Sequence, residues 1–181
     1  MMPVGPLMKE HRIIERMISV VGQESKRIAQ DGEVDPVFID TAVDFIRTYA
    51  DETHHGKEED ILFRDLAEKD LSDEHRRVMD ELVHEHVVAR RTVGELVEAT
   101  ERYVHGDADA LGTIVDKLDA LAAMYPEHIE KEDERFFLPV MEYFTEAERK
   151  AMLDEMREFD REMIHYKYAS VVERLEENRH R

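Results

Sequence analysis

The sequence predicts an all-α fold: an antiparallel up-down-up-down four-helix bundle with an additional C-terminal helix. Three observations lead there. Apolar residues recur at three- and four-residue spacing through almost the whole chain, which is the pattern of helices with one buried face. Glycine and proline are few, 7 and 5 in 181 residues, so little interrupts that pattern. The chain also repeats itself at a period of 74 or 75 residues, as two copies of one helical hairpin would.

The elements follow in order. The first helix runs from about Pro6 to Gln30, with Leu7, His11, Ile14, Ile18 and Val21 on one face. Asp31-Gly32 breaks it, and Asp35-Pro36 starts the second, an N-cap followed by proline at the first helical position. That helix continues to about Ala67 and carries Val43, Ile46, Ala50, His54, Glu58, Ile61 and Leu62 on one side. Leu71-Ser72-Asp73 caps a third helix ending near Val104, with Met79, Leu82, His86, Ala89 and Val93 inward. His105-Gly106-Asp107 turns the chain into a fourth, about Ala108 to Phe144, presenting Leu118, Leu121, Tyr125, His128, Glu132 and Phe136. Pro126 removes one backbone hydrogen bond there, yet the apolar spacing continues through it. Thr145-Glu146 caps a fifth helix to about Glu177, with Met152, Met156, Phe159 and Met163 apolar. Short connections between long helices favour antiparallel neighbours. Residues 1–144 therefore read as the bundle, and 145–181 as an amphipathic helix packed on it or at an interface.

Composition narrows the function. With 44 acidic against 25 basic residues and a net charge of −19, the surface repels phosphate backbones and anionic lipid. Nucleic acid and membrane are not expected partners. There is no cysteine, which excludes disulfides, thiolate metal sites and iron–sulfur clusters. The opening Met1–Glu10 lacks the basic and apolar runs of a signal peptide, so the expectation is cytoplasmic.

The chemistry lies in the repeat. His54-His55-Gly56-Lys57-Glu58-Glu59-Asp60-Ile61-Leu62-Phe63 aligns without gaps on His128-Ile129-Glu130-Lys131-Glu132-Asp133-Glu134-Arg135-Phe136-Phe137. Upstream, Glu10-His11 aligns on Glu85-His86. His11, His54, Glu58, His86, His128 and Glu132 each lie between 20 and 26 residues from the turn of their own hairpin, Glu33 or Gly106. At roughly 1.5 Å rise per residue, all six fall at one level of the bundle. Residues four apart share a helix face, so each His-x₃-Glu offers an imidazole and a carboxylate to one site. Taken singly, any of these is more easily a solvated or core residue. Six in one apolar layer need a shared partner, because an unpaired buried carboxylate or imidazole is costly. Imidazole and carboxylate suit iron, manganese or zinc, and six donors suit two ions. The economical division puts His11 and His54 on one ion, His86 and His128 on the other, and Glu58 and Glu132 across both. That leaves positions for an oxo or hydroxo bridge and a small exogenous molecule.

These motifs resemble the hemerythrin-like family of cation-binding bundles over about Leu7 to Tyr143. The resemblance implies two non-haem, carboxylate-bridged iron ions held by His11, His54, Glu58, His86, His128 and Glu132, binding a diatomic ligand or peroxide. One departure matters. The invertebrate oxygen carriers offer two histidines four apart on the third helix, whereas Leu82 and Arg90 flank His86 here at that spacing. This resembles the branch of sensors, iron-response modules and nitrosative-stress proteins, and sets reversible oxygen carriage in question.

Other histidines are set aside. His55 maps onto Ile129 and is expected off the inward face; His84 maps onto Lys9 and is expected exposed. His75, His105 and His180, near helix ends or the terminus, are expected in solvent. Glu52 with His55 and Glu81 with His84 have ferritin-type Glu-x-x-His spacing, but that choice discards the internal symmetry. His165, Tyr166 and Tyr168 pack at a bundle surface or bring a side chain near the metals, while Met152, Met156 and Met163 read as gap-filling core. The function expected is a di-iron protein that binds or senses oxygen or a related small oxidant. The alternatives are a di-iron oxidoreductase acting on nitric oxide or peroxide, iron storage or sensing, and a structural bundle that meets a second copy or a partner protein through its C-terminal helix.

Overall fold

The computed structural model describes the backbone of residues 2–179, with side chains in the last helix as far as Met163 and at Lys167. Among the described residues there is no strand, and the chain forms five helices. Helix α1, Val4–Asp31, begins two residues before the expected Pro6. Proline is tolerated there because the first helical N–H groups have no partner inside the helix. It ends where Gly32 takes a left-handed φ of 72° and donates its N–H to the Ile28 carbonyl.

Helix α2 covers residues 36–67. It starts as predicted, with the Asp35 carboxylate accepting from the Val37 N–H and Pro36 in the first turn. Pro36–Phe45 is α-helical, but Ile46–His55 and Glu58–Phe63 wind as π-helix before a closing turn, Arg64–Ala67. Helix α3, Asp73–Val104, has the predicted bounds and is capped by Ser72 Oγ, which accepts from the His75 N–H. Gly106, at φ 97°, makes the next turn. Helix α4 covers residues 110–143 and begins later than expected, because the Asp107 carboxylate accepts from the Asp109 N–H and holds that turn. It stays α-helical through Pro126 from Ala110 to Lys131, then becomes π-helical over Glu132–Phe136. Helix α5, Glu146–Arg179, opens on a reciprocal pair: Glu148 accepts from the Thr145 N–H, and Thr145 Oγ1 accepts from the Glu148 N–H.

Helix α4 packs along both α1 and α3, and the π-helical part of α2 meets α1 and α3. The core falls into two apolar clusters. One is built around Ile14, Ile18, Ile46, Val93, Leu118, Leu121 and Tyr125. The other gathers Leu7, Ile61, Leu62, Leu82, Phe136 and Phe137, with Met152 and Met156 of α5 buried in it. Those two methionines are core residues as expected, and Met163 is half-buried. Along α1, α2 and α3 the sequence crosses from one cluster to the other at a histidine, as at His11 between Leu7 and Ile14 and His86 between Leu82 and Val93. Along α4 it crosses between Ile129 and Phe136, around Glu132. A polar layer therefore divides the apolar core. No helix among the described residues is long and apolar enough to cross a membrane.

Candidate metal centre

The layer between the clusters contains His11, His54, His55, Glu58, His86, His128 and Glu132, all at most 3% exposed. The six residues picked out by the repeat are thus brought together, and a seventh, His55, joins them. His11 Nε2 and His54 Nε2 lie 2.9 Å apart, and His86 Nε2 and His128 Nε2 lie 3.2 Å apart. The two carboxylates lie between these pairs. Glu58 Oε1 is 3.3 Å from His54 Nε2 and its Oε2 is 3.4 Å from His86 Nε2. Glu132 Oε2 is 3.1 Å from His11 Nε2 and its Oε1 is 3.4 Å from His128 Nε2. Each carboxylate therefore turns one oxygen to each histidine pair.

The outer nitrogen of every imidazole is already committed. His11 Nδ1 lies 2.8 Å from Asp133, His54 Nδ1 2.9 Å from Glu10, His86 Nδ1 2.7 Å from Glu59, and His128 Nδ1 2.8 Å from Glu85. His55 Nδ1 lies 3.2 Å from Asp51. A carboxylate accepts only, so Nδ1 carries a proton and donates, which makes Nε2 the nitrogen that faces inward. The acids are themselves anchored: Glu10 by Lys57, Glu85 by Lys131, Asp133 by Arg12, and both Asp51 and Glu59 by Arg90. The shared motif His-x-x-Lys-Glu-acid now has a role at each named position. The histidine and glutamate face inward, the lysine holds the acid that holds its own histidine, and the last acid holds a histidine of another helix.

Electrostatics show what this layer lacks. Burial pulls the His54 imidazole down, but Glu58 and Glu10 outweigh it and hold its pKa up at about 10. Burial pushes the Glu58 carboxyl up, but His54, His86 and His11 bring it down to about 2. His11 and His128 are also raised: burial opposes this, and Asp133 and Glu132 at His11, or Glu132 and Glu85 at His128, prevail. His55 is lowered well below the ordinary value by burial and by His86, so it is neutral. The two buried carboxylates thus favour protons on His11, His54 and His128, where a cation would otherwise balance their charge.

The same residues fit metal ions. Among the described residues, no properly oriented hydrogen-bond donor meets any of the four buried oxygens of Glu58 and Glu132, which costs free energy in an apolar core. Two donors at right angles, each about 2.1 Å from one ion, stand about 3.0 Å apart, close to the spacings here. Donor atoms within 4.8 Å of one another form two groups: His11, His54, Glu58 and Glu132, and His55, Glu58, His86 and His128. Glu58 belongs to both.

His55 corrects the sequence-based expectation that this side chain points away. Its ring stacks on His86 with centroids 3.8 Å apart. The partner in the repeat, Ile129, is also buried, so an isoleucine there marked the position as interior rather than outward. The π-helical turns of α2 bring His54 and His55 to the layer together, whereas α4 is still α-helical at His128. His84 is exposed as expected, and so is His105. His75 is half-buried rather than in solvent, with Nδ1 2.9 Å from the Tyr143 hydroxyl. Glu52 is exposed and Glu81 pairs with Arg77, so the ferritin-type spacing brings neither of its glutamates to the layer. His180 and the side chains of His165, Tyr166 and Tyr168 lie outside the described residues.

Comparison with family models matches residues 2–140 to the hemerythrin HHE cation-binding domain. No curated protein and no solved structure matches the chain.

Proposed function

The chain belongs to the family of hemerythrin HHE cation-binding domains, and on that premise we propose that it holds two non-haem iron ions and binds or senses oxygen or a related small oxidant. One observation carries this reading. The four buried oxygens of Glu58 and Glu132 have no oriented hydrogen-bond donor among the described residues, and each faces one of two imidazole pairs. In this reading His11 and His54 would hold one ion and His86 and His128 with His55 the other, with Glu58 and Glu132 available to both. Nitrogen and carboxylate donors suit iron. When bound, such ions supply Lewis acidity and exchangeable electrons.

The chain's own residues do the rest. Five carboxylates fix the imidazole rings through Nδ1. Two apolar clusters keep bulk water from the layer. Beside His55 lies a cavity of about 70 Å³ between Ile46, Ala89, Val93 and Tyr125, with Asp51 and Arg90 at its wall. The buried Tyr125 hydroxyl has no partner among the described residues, and burial raises its pKa, so it remains a hydrogen-bond donor for a small guest. A cavity of this size suits a diatomic molecule or peroxide. The oxidoreductase alternative drew on only four imidazoles and many open positions; His55 as a fifth weakens that argument.

The test is exposure of anaerobically iron(II)-loaded protein to oxygen. An absorption change that reverses when oxygen is removed supports binding. Catalytic consumption of peroxide or nitric oxide would favour the oxidoreductase reading, and no response to any of them would contradict both.

Metal binding should also release protons. His54 in the metal-free protein titrates at about 10, so at pH 7 it is protonated and must lose that proton before Nε2 can hold an ion. Loading at pH 7 in weak buffer should acidify the solution, and affinity should rise with pH toward 10. The sign for metal-free stability is opposite. A folded pKa raised above the unfolded 6.5 contributes stability that is fully present below pH 6.5 and lost as pH rises through about 10. The thermal midpoint of the metal-free protein should therefore fall from pH 7 to 10, while that of the loaded protein falls on acidification. Loading without proton release would contradict the assignment of His54.

A further inference from the structure

We infer that Asp160, on α5, is a positioning residue for the His54 half of the metal centre, so that docking of α5 and occupancy of the centre are linked. The inference rests on the two-ion reading above and concerns a helix beyond the matched residues 2–140.

A chain of contacts runs inward from α5. Asp160 Oδ1 accepts from Lys57 Nζ at 2.6 Å, Lys57 donates also to Glu10, and Glu10 Oε2 lies 2.9 Å from His54 Nδ1. Lys57 is 0% exposed, a buried ammonium balanced by two carboxylates from different helices. The second hairpin shows what this arrangement replaces. Lys131 holds Glu85, which holds His128, and a second acid, Glu81, stands 3.6 Å from Lys131. Glu81 comes from the same helix as Glu85. Its counterpart in the first hairpin, one repeat earlier, is Pro6, which carries no charge. Asp160 supplies from α5 the acid that the first hairpin lacks.

A second departure from the repeat makes room for it. Glu130 is exposed in the second copy, and Gly56 stands in its place in the first. A Cβ on Gly56 would come within 2.8 Å of the tip of the Phe159 ring, so α5 seats closely on this helix and a larger residue there would have to displace that ring. Both exceptions lie where α5 meets the first hairpin: one brings Phe159 close to Gly56, the other gives Lys57 its second carboxylate.

The physical consequence is directional. Lys57 shared between two carboxylates withdraws less charge from Glu10 than Lys57 bound to Glu10 alone. With Asp160 in place, Glu10 is the stronger acceptor for His54 Nδ1–H, and the His54 imidazole is the more basic donor toward an ion. Linkage is reciprocal, so an ion on His54 stabilises the docked α5.

The test is anaerobic cobalt(II) titration of the full chain, comparing Asp160→Asn with Glu155→Gln. Glu155 is an exposed α5 residue that pairs with Arg64 and is no partner of Lys57, Glu10 or His54, so it reports the loss of an ordinary α5 contact. Asp160→Asn should weaken one of two binding steps by about tenfold, the lower end for partners of metal ligands, and leave the other step unchanged. Asp160→Glu should restore most of the loss, and Glu155→Gln should move neither step. In the unchanged protein, cobalt should slow amide exchange over residues 146–163, and Asp160→Asn should abolish that slowing. Equal weakening of both steps, an equal effect of Glu155→Gln, or exchange indifferent to cobalt would overturn the inference and leave the two-ion reading intact. Failure of the unchanged chain to bind cobalt would overturn both.

Discussion

Glu58→Gln should empty both metal positions, not one. The substitution keeps the volume and removes one negative charge whose two oxygens face different histidine pairs. Removing one partner of a buried charged pair costs on the order of 3–5 kcal/mol, or roughly a hundredfold to a few thousandfold in affinity. Both ions share that oxygen pair, so the loss cannot be confined to one. Glu132→Gln should behave alike, since its oxygens face His11 and His128. The helices should survive, because the apolar clusters on either side contain neither residue. Metal content per folded chain, with circular dichroism as the check on folding, would decide it. Retention of one tightly bound ion in either variant would mean that the glutamates do not span two sites.

The second large effect separates three histidines. His54→Ala leaves one ion a single imidazole, His11, and should abolish its binding at micromolar metal. His55→Ala leaves His86 and His128 in place, so the other ion should bind more weakly but still bind. The internal repeat by itself leads to the opposite expectation for His55, full loading after its removal. Its burial beside His86, with Nδ1 on Asp51, reverses that. His84→Ala changes an exposed side chain and should have no effect. Equal loading in the unchanged protein and in the His55→Ala variant would return His55 to a packing role.

The contrast shows what this sequence makes legible. Helix ends followed from local chemistry: Asp35-Pro36, Ser72 and Gly32 act through hydrogen bonds and backbone angles belonging to a few neighbouring residues. That His11, His54, Glu58, His86, His128 and Glu132 share a layer followed from counting along rigid rods of fixed rise. The same arithmetic fails inside a π-helix, where each turn takes an extra residue and two successive side chains can reach one face. Ile46–His55 is such a stretch, and periodicity of 3.6 residues carries no sign of it. The outer carboxylates were visible as letters in the repeat, yet Glu59 and Asp133 serve histidines on other helices, which no spacing along one helix reveals. Asp160 was further out of reach, because it stands outside the repeated segments and takes the place of an acid that the repeat omits.

The central claim, two ions bridged by Glu58 and Glu132, is tested most directly by anomalous diffraction from crystals of the iron-loaded protein. Two peaks are expected, roughly 3.5–4 Å apart as in other paired metal sites. One should lie against Nε2 of His11 and His54, the other against Nε2 of His86, His128 and His55, with both glutamates between them. A single peak, or two peaks confined to the side chains of one hairpin, would contradict the account.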